Sequence, residues 1–180
     1  MRLEQSANAS TDRREGGRER RLWATLMQPV VVATDAMLVV GIRGRTTHRI
    51  EAVGQTAKIP ALWRRFFVDN VASQIPGLLP DPAVIAVYSD YENADWGQYS
   101  LLIGRKAQSL DHLPKRIFGE LVPAGPYLCF TVDGPSREAP NAAWLEIRKF
   151  FERSHEYERA YTTDFEVHGD DQVSIYVAMK

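Results

Sequence analysis

The order of periodicities constrains this chain most. A β-branched stretch, an amphipathic helical stretch and two alternating stretches around a turn occur once in the first half and again in the second. In the first half, Val30 to Ala33 and Met37 to Arg45 read as strands. Ile59, Leu62, Trp63 and Phe66 then recur at helical spacing within Lys58 to Gln74, with Pro60 placed where a first helical turn tolerates it. Val84 to Tyr91 and Gln98 to Lys106 follow as a hairpin around Glu92 to Gly97. In the second half, Phe118 to Val132 is a strand pair or one long bent strand, with Pro123 to Pro126 at the bend. Pro140 to Arg153 places Ala143, Trp144, Ile147, Phe150 and Phe151 on one helical face, and Tyr161 to His168 with Val173 to Met179 form the last hairpin.

Each half is therefore β, α, β, β, which points to an α+β fold of duplicated βαββ units. We expect pseudo-two-fold symmetry, antiparallel sheets with two packed helices, and a central cleft between the halves. Clefts of that kind favour small-molecule sites.

Charge divides the chain into a tail and a domain. Residues 1–22 carry six arginines against four acids, few large apolar side chains and Gly16-Gly17, and are expected to be a disordered basic tail. Residues 23–180 are expected to form one domain. The net charge of -1 gives no global attraction to nucleic acid, and no helix-turn-helix pattern precedes the first strand, so direct DNA binding is not expected. Leu22 to Ile42 is apolar but interrupted by Gln28-Pro29 and Thr34-Asp35, and an acid inside a spanning helix costs about 3 kcal/mol, so strands rather than a membrane anchor are expected. The lone Cys129 can form no internal disulfide, which fits a reducing cytoplasm.

Familiar chemical motifs are absent. Gly41-Ile42-Arg43-Gly44 lacks the rest of a dinucleotide or phosphate loop, and His155-Glu156-Tyr157-Glu158-Arg159 lacks the second histidine of a zinc-protease helix. His48, His112, His155 and His168 are scattered, and each is expected to face solvent. Asp90, Glu92 and Asp95 are explained by turn chemistry. Neither a metal nor a cofactor is expected.

A set of segments resembles the GyrI-like small-molecule-binding domain, the effector-binding domain of AraC-type and Rob-like transcription regulators. The resemblance is carried by Val40-Gly41-Ile42 with Arg45-Thr46, Lys58 to Phe66, Val87 to Tyr91, Gly97 to Ser100, Ile103-Gly104, Val122 to Tyr127, Ala143-Trp144, Tyr161 and Asp164 to His168. It spans roughly residues 30 to 180 and implies a stand-alone domain of paired βαββ units around a ligand cleft. It also implies a cleft carboxylate at Glu166, with His168 standing where a tyrosine is common.

Strand alternation agrees, placing Asp164, Glu166 and His168 on one side and Phe165 and Val167 on the other. Tyr88, Trp96, Tyr127 and Tyr176 are the expected aromatic cleft residues, suited to a hydrophobic, cationic or planar ligand. Trp63, Phe66, Trp144 and Phe151 are assigned to the helix–sheet core. The expected function is small-molecule binding without catalysis. Two other readings follow from the resemblance: hydrolysis of cyclopropane-containing electrophiles with Glu166 as acid or base, and a gyrase-inhibitor-type protein interaction.

Overall fold

The computed structural model describes residues 29–133, 139–170 and 172–180. The basic tail and the Gly134-Pro135 turn lie outside the described residues. The elements are β1 (Val30–Thr34), β2 (Met37–Thr47), α1 (His48–Glu51), α2 (Ile59–Val68), β3 (Val84–Ser89), β4 (Gln98–Lys106), β5 (Phe118–Val122), β6 (Gly125–Asp133), α3 (Ala139–Arg153), β7 (Asp164–His168) and β8 (Gln172–Ala178).

All eight strands belong to one antiparallel sheet of order β1-β6-β8-β7-β3-β4-β2-β5. β1 and β2 sit near opposite ends of that order, yet only Asp35 and Ala36 separate them, as only Pro123 and Ala124 separate β5 from β6. Two residues reach only about 11 Å, so the sheet curls until its ends meet. A buried cluster on one face records the closure, since Val39 and Val122 from one end share it with Tyr127 and Ala178 from the other. Gly41 and Gly104 face each other where β2 and β4 approach closely; a Cβ on Gly41 would lie 2.0 Å from the Ile103 carbonyl oxygen.

The expected duplication is present: β2-α2-β3-β4 and β6-α3-β7-β8 are the two βαββ units, joined back to back by the β3–β7 ladder. The strands before them are exchanged. β1 pairs with β6 of the second unit, and β5 with β2 of the first. Aligning the ladders of one unit with those of the other sets Val84, Ala86 and Tyr88 against Asp164, Glu166 and His168. Ala86 is also the cross-strand partner of Glu166, so the pseudo-two-fold axis passes between these two residues.

Both long helices cover the face opposite the closed cluster. α2 packs Phe66, Leu62 and Trp63 on the first unit, and α3 packs Ala143 and Ile147 on the second. Each large side chain so buried contributes about 1.5–3 kcal/mol. Trp144 packs on both clusters and closes the seam between them.

Local differences from the expected elements have local causes. The helix expected to continue to Gln74 stops at Val68, because Asn70 is left-handed (φ 45°); a 3-10 turn, Val71–Gln74, follows. β3 ends at Ser89 because Asp90 has φ 51°, and β7 begins only at Asp164, after Tyr161 with φ 53°. α1 was not expected. Its Glu51 accepts the N–H groups of Lys58 and Ile59 at 3.0 and 3.2 Å, so a carboxylate from α1 satisfies the otherwise uncapped start of α2.

Candidate functional site

β7 presents two buried carboxylates to the helix-covered face. Asp164 is 0% exposed and Glu166 1% exposed, and a buried charge is costly unless it is paired or hydrogen-bonded. The two are satisfied differently.

Asp164 has a fixed cation. Arg159 donates through Nη2 at 2.6 Å and Nε at 3.2 Å to Oδ2, Tyr91 donates to the same oxygen at 2.8 Å, and the Ala178 N–H donates to Oδ1 at 2.8 Å. The guanidinium lies over the rings of Tyr161, Tyr91 and Trp144 at 4.5, 5.3 and 5.3 Å. Burial works against the charge of Arg159, but Asp164, Tyr91 and Tyr161 outweigh it and hold the group above its ordinary pKa. Burial, followed by the nearby Asp164, pushes the Tyr91 hydroxyl well above the usual phenol range.

Glu166 has no such partner. Tyr88 donates to Oε1 at 2.8 Å, the Trp144 indole N–H donates to the same oxygen, and His168 Nε2 lies 2.6 Å from Oε2. Among the described residues, no lysine or arginine lies within 4.0 Å of this carboxylate. Burial, then the charge of Glu166, drives the Tyr88 hydroxyl well above its usual range and keeps it a donor.

The rings around Glu166 repeat the symmetry of the sheet. Trp63 of α2 packs on His168 at 4.5 Å, and Trp144 of α3 packs on Tyr88 at 5.2 Å. Each helix thus places a tryptophan against a ring from the other unit. At the axis itself the symmetry fails, with Glu166 on one side and the methyl of Ala86 on the other. The result is a carboxylate in an aromatic box. A surface cavity of about 780 Å³ is lined by Asp95, Arg148, Arg159 and Tyr161 among others, and by none of the side chains of the box; its Arg159 stacks on the indole of Trp144.

Of the residues singled out from the sequence, the structure brings together Glu166 and Tyr88. Trp96 stands 89% exposed in the β3–β4 turn. Tyr127 and Tyr176 are on the opposite face, packed on Phe165 at 5.1 and 4.4 Å, and the Tyr127 hydroxyl donates to the Pro123 carbonyl. Register explains this: Tyr176 pairs with Phe165 and with Cys129, so both tyrosines point away from Glu166.

The expectation that every histidine faces solvent is corrected at His168, whose side chain is 8% exposed against Glu166. Trp63 and Trp144 do pack on the core as expected, but they also form the walls of the box. Arg159 carried no sequence signal; alternation through Asp164, Glu166 and His168 was the signal for the histidine. Among the described residues no cluster of three or more histidine, cysteine or acidic side chains could hold a metal, and no helix is long and apolar enough to cross a membrane.

Residues 31–179 match the family model described as Cass2, integron-associated effector binding protein. The putative transcriptional regulator protein YobU of Bacillus subtilis (strain 168) is 30% identical over 154 residues, 81% of this chain and 94% of that protein. Among solved structures, an integron cassette protein from the mobile metagenome of Vibrio cholerae superposes with a TM-score of 0.73 at 27% identity, covering 86% of this chain and 97% of that one. The protein SAV2435 bound to tetraphenylphosphonium shares the fold, with a TM-score of 0.66 at 17% identity over 86% of this chain and 94% of that one.

Proposed function

The chain is a GyrI-like effector-binding domain of the family of integron-associated effector-binding proteins, and from that premise we propose that it captures a hydrophobic, singly charged organic cation against Glu166, between the tryptophans of its two helices. One observation carries the reading. Of the two buried carboxylates on β7, Asp164 has a permanent cation and Glu166 has only neutral donors and an imidazole. A monocation placed there would gain from low dielectric and from aromatic faces together, while an anion would meet an uncompensated negative charge. Ala86 leaves the pseudo-symmetric position uncharged, which favours one charge per ligand.

The carboxylate is closed in this structure, so the ligand reaches it by displacing the Trp144 indole from Oε1. Binding then changes the seam between the units, a displacement that a sensor or sequestering protein can use without altering the ligand. We place the protein in the cytoplasm, acting through the small molecule and not through DNA. The hydrolase reading finds less support in the geometry, because a carboxylate already accepting from Tyr88 and Trp144 is a poor base toward water.

The test is a titration of tetraphenylphosphonium and of neutral triphenylphosphine oxide, followed by tryptophan fluorescence, on the wild type and Glu166→Gln. The variant should weaken the cation by about tenfold or more, equivalent to about 1.4 kcal/mol, and leave the neutral compound within about twofold. Equal losses for both compounds, or no cation binding to the wild type, would overturn the proposal.

A further inference from the structure

We propose that His168 is the exchangeable internal counter-cation of Glu166, so that a ligand cation and the imidazolium proton compete for one carboxylate. The inference rests on the cation reading above and extends it to the class of cation admitted. The site would select permanently charged organic cations, quaternary ammonium or phosphonium, over weakly basic heterocycles.

The argument begins with position. Nε2 of His168 lies 2.6 Å from Oε2 of Glu166, and the two side chains are 8% and 1% exposed, so their interaction is little screened by water. Glu166 is the only carboxylate within 4.0 Å of the imidazole among the described residues. From α2 the imidazole meets the Trp63 ring at 4.5 Å; the ladder partners of His168 on β3 and β8 are Val84 and Val173, neither of them titratable. The other oxygen of Glu166 is taken by the Tyr88 hydroxyl and by the Trp144 N–H of α3. Further along β7, Asp164 is committed to Arg159.

Chemistry supplies the rest. An arginine at this position would hold Glu166 permanently, since guanidinium does not release its proton in proteins. Imidazole is the side chain that gains and loses charge across neutral pH. When protonated, His168 neutralises Glu166 and repels a second cation. When neutral, it still donates one hydrogen bond but leaves the negative charge free for a ligand. Entry of a cation at acid pH must therefore expel a proton to solvent. A weakly basic heterocycle loses its own charge as pH rises to the point where the carboxylate is freed, whereas a permanent cation keeps it.

The experiment titrates the full chain with tetraphenylphosphonium between pH 5.5 and 8.5, for the wild type, His168→Gln and His168→Tyr; the last keeps a ring against Trp63. Calorimetry in two buffers of different ionisation enthalpy counts protons at the acid end. The wild type should bind more tightly as pH rises, approaching tenfold per unit at the acid end and levelling above, with close to one proton released per cation at acid pH. Both variants should bind with an affinity nearly flat in pH and release none. A flat wild-type profile, or a slope that persists in a folded variant, would overturn the role of His168 while leaving the cation reading intact. Absence of binding by the wild type at every pH would overturn both.

Discussion

Ala86 and Glu166 face each other across the central β3–β7 ladder and occupy equivalent positions in the two βαββ units. An approximately symmetric aromatic box therefore contains a single charge, with a methyl group at the equivalent position across the axis. Ala86 is fully buried. Ala86→Val should overpack the box, costing about 1–3 kcal/mol of stability, and should weaken tetraphenylphosphonium more than it shifts the urea midpoint implies. Urea unfolding and ligand titration on the same preparation check both parts.

Trp144 joins the two units and also donates to Glu166. Trp144→Phe keeps a ring against Tyr88 and Arg159 but removes that donor. The loss of a hydrogen bond to a buried carboxylate is expected to cost about 1.5–3 kcal/mol, read from chemical denaturation.

Arg159 and Asp164 should be separable by a double-mutant cycle. Arg159→Met alone leaves Asp164 charged in a fully buried position and is expected to cost about 3–5 kcal/mol. Arg159→Met combined with Asp164→Asn should recover most of it, since the asparagine carbonyl still accepts from the Ala178 N–H. Additive losses would contradict the pairing.

The tyrosines predict an alkaline limit. Burial raises the phenols of Tyr88, Tyr91, Tyr99, Tyr127, Tyr161 and Tyr176, with Tyr161 pushed up to about 12. A group whose folded pKa lies above its unfolded value near 10 contributes stability that is complete below pH 10 and is lost as pH rises toward the folded value. Phenolate absorbance at 295 nm should therefore stay low at pH 10.5 and rise with loss of far-UV circular dichroism above it. Gradual ionisation in an intact fold would contradict these burials.

Much of this was legible in the sequence because alternation and helical spacing are local properties. The run Asp164-Phe165-Glu166-Val167-His168 announces two faces of opposite polarity, and the structure keeps them apart. Which face Tyr127 and Tyr176 share with it depends on register between strands distant in sequence, which no local pattern encodes. Trp63 and Trp144 read as core because helical spacing reports only that a side chain faces the sheet; Trp144 also donates to the carboxylate, and Trp63 packs on the imidazole beside it. Arg159 lies in an irregular segment with no periodicity to interpret, between α3 and β7.

The exchange of β1 and β5 makes each unit incomplete without a strand of the other. The molecule is in this sense an interlocked dimer whose two subunits are consecutive on one chain, joined by the β4–β5 connection, whose Leu110 and Leu113 also pack on the core of the first unit. A protease cut between Gln108 and Arg116 should leave two fragments that migrate as one particle until denatured, and neither fragment expressed alone should give a cooperatively folded domain. The aromatic box around Glu166, built on the axis between the units, would then report their association: it exists only where both halves meet.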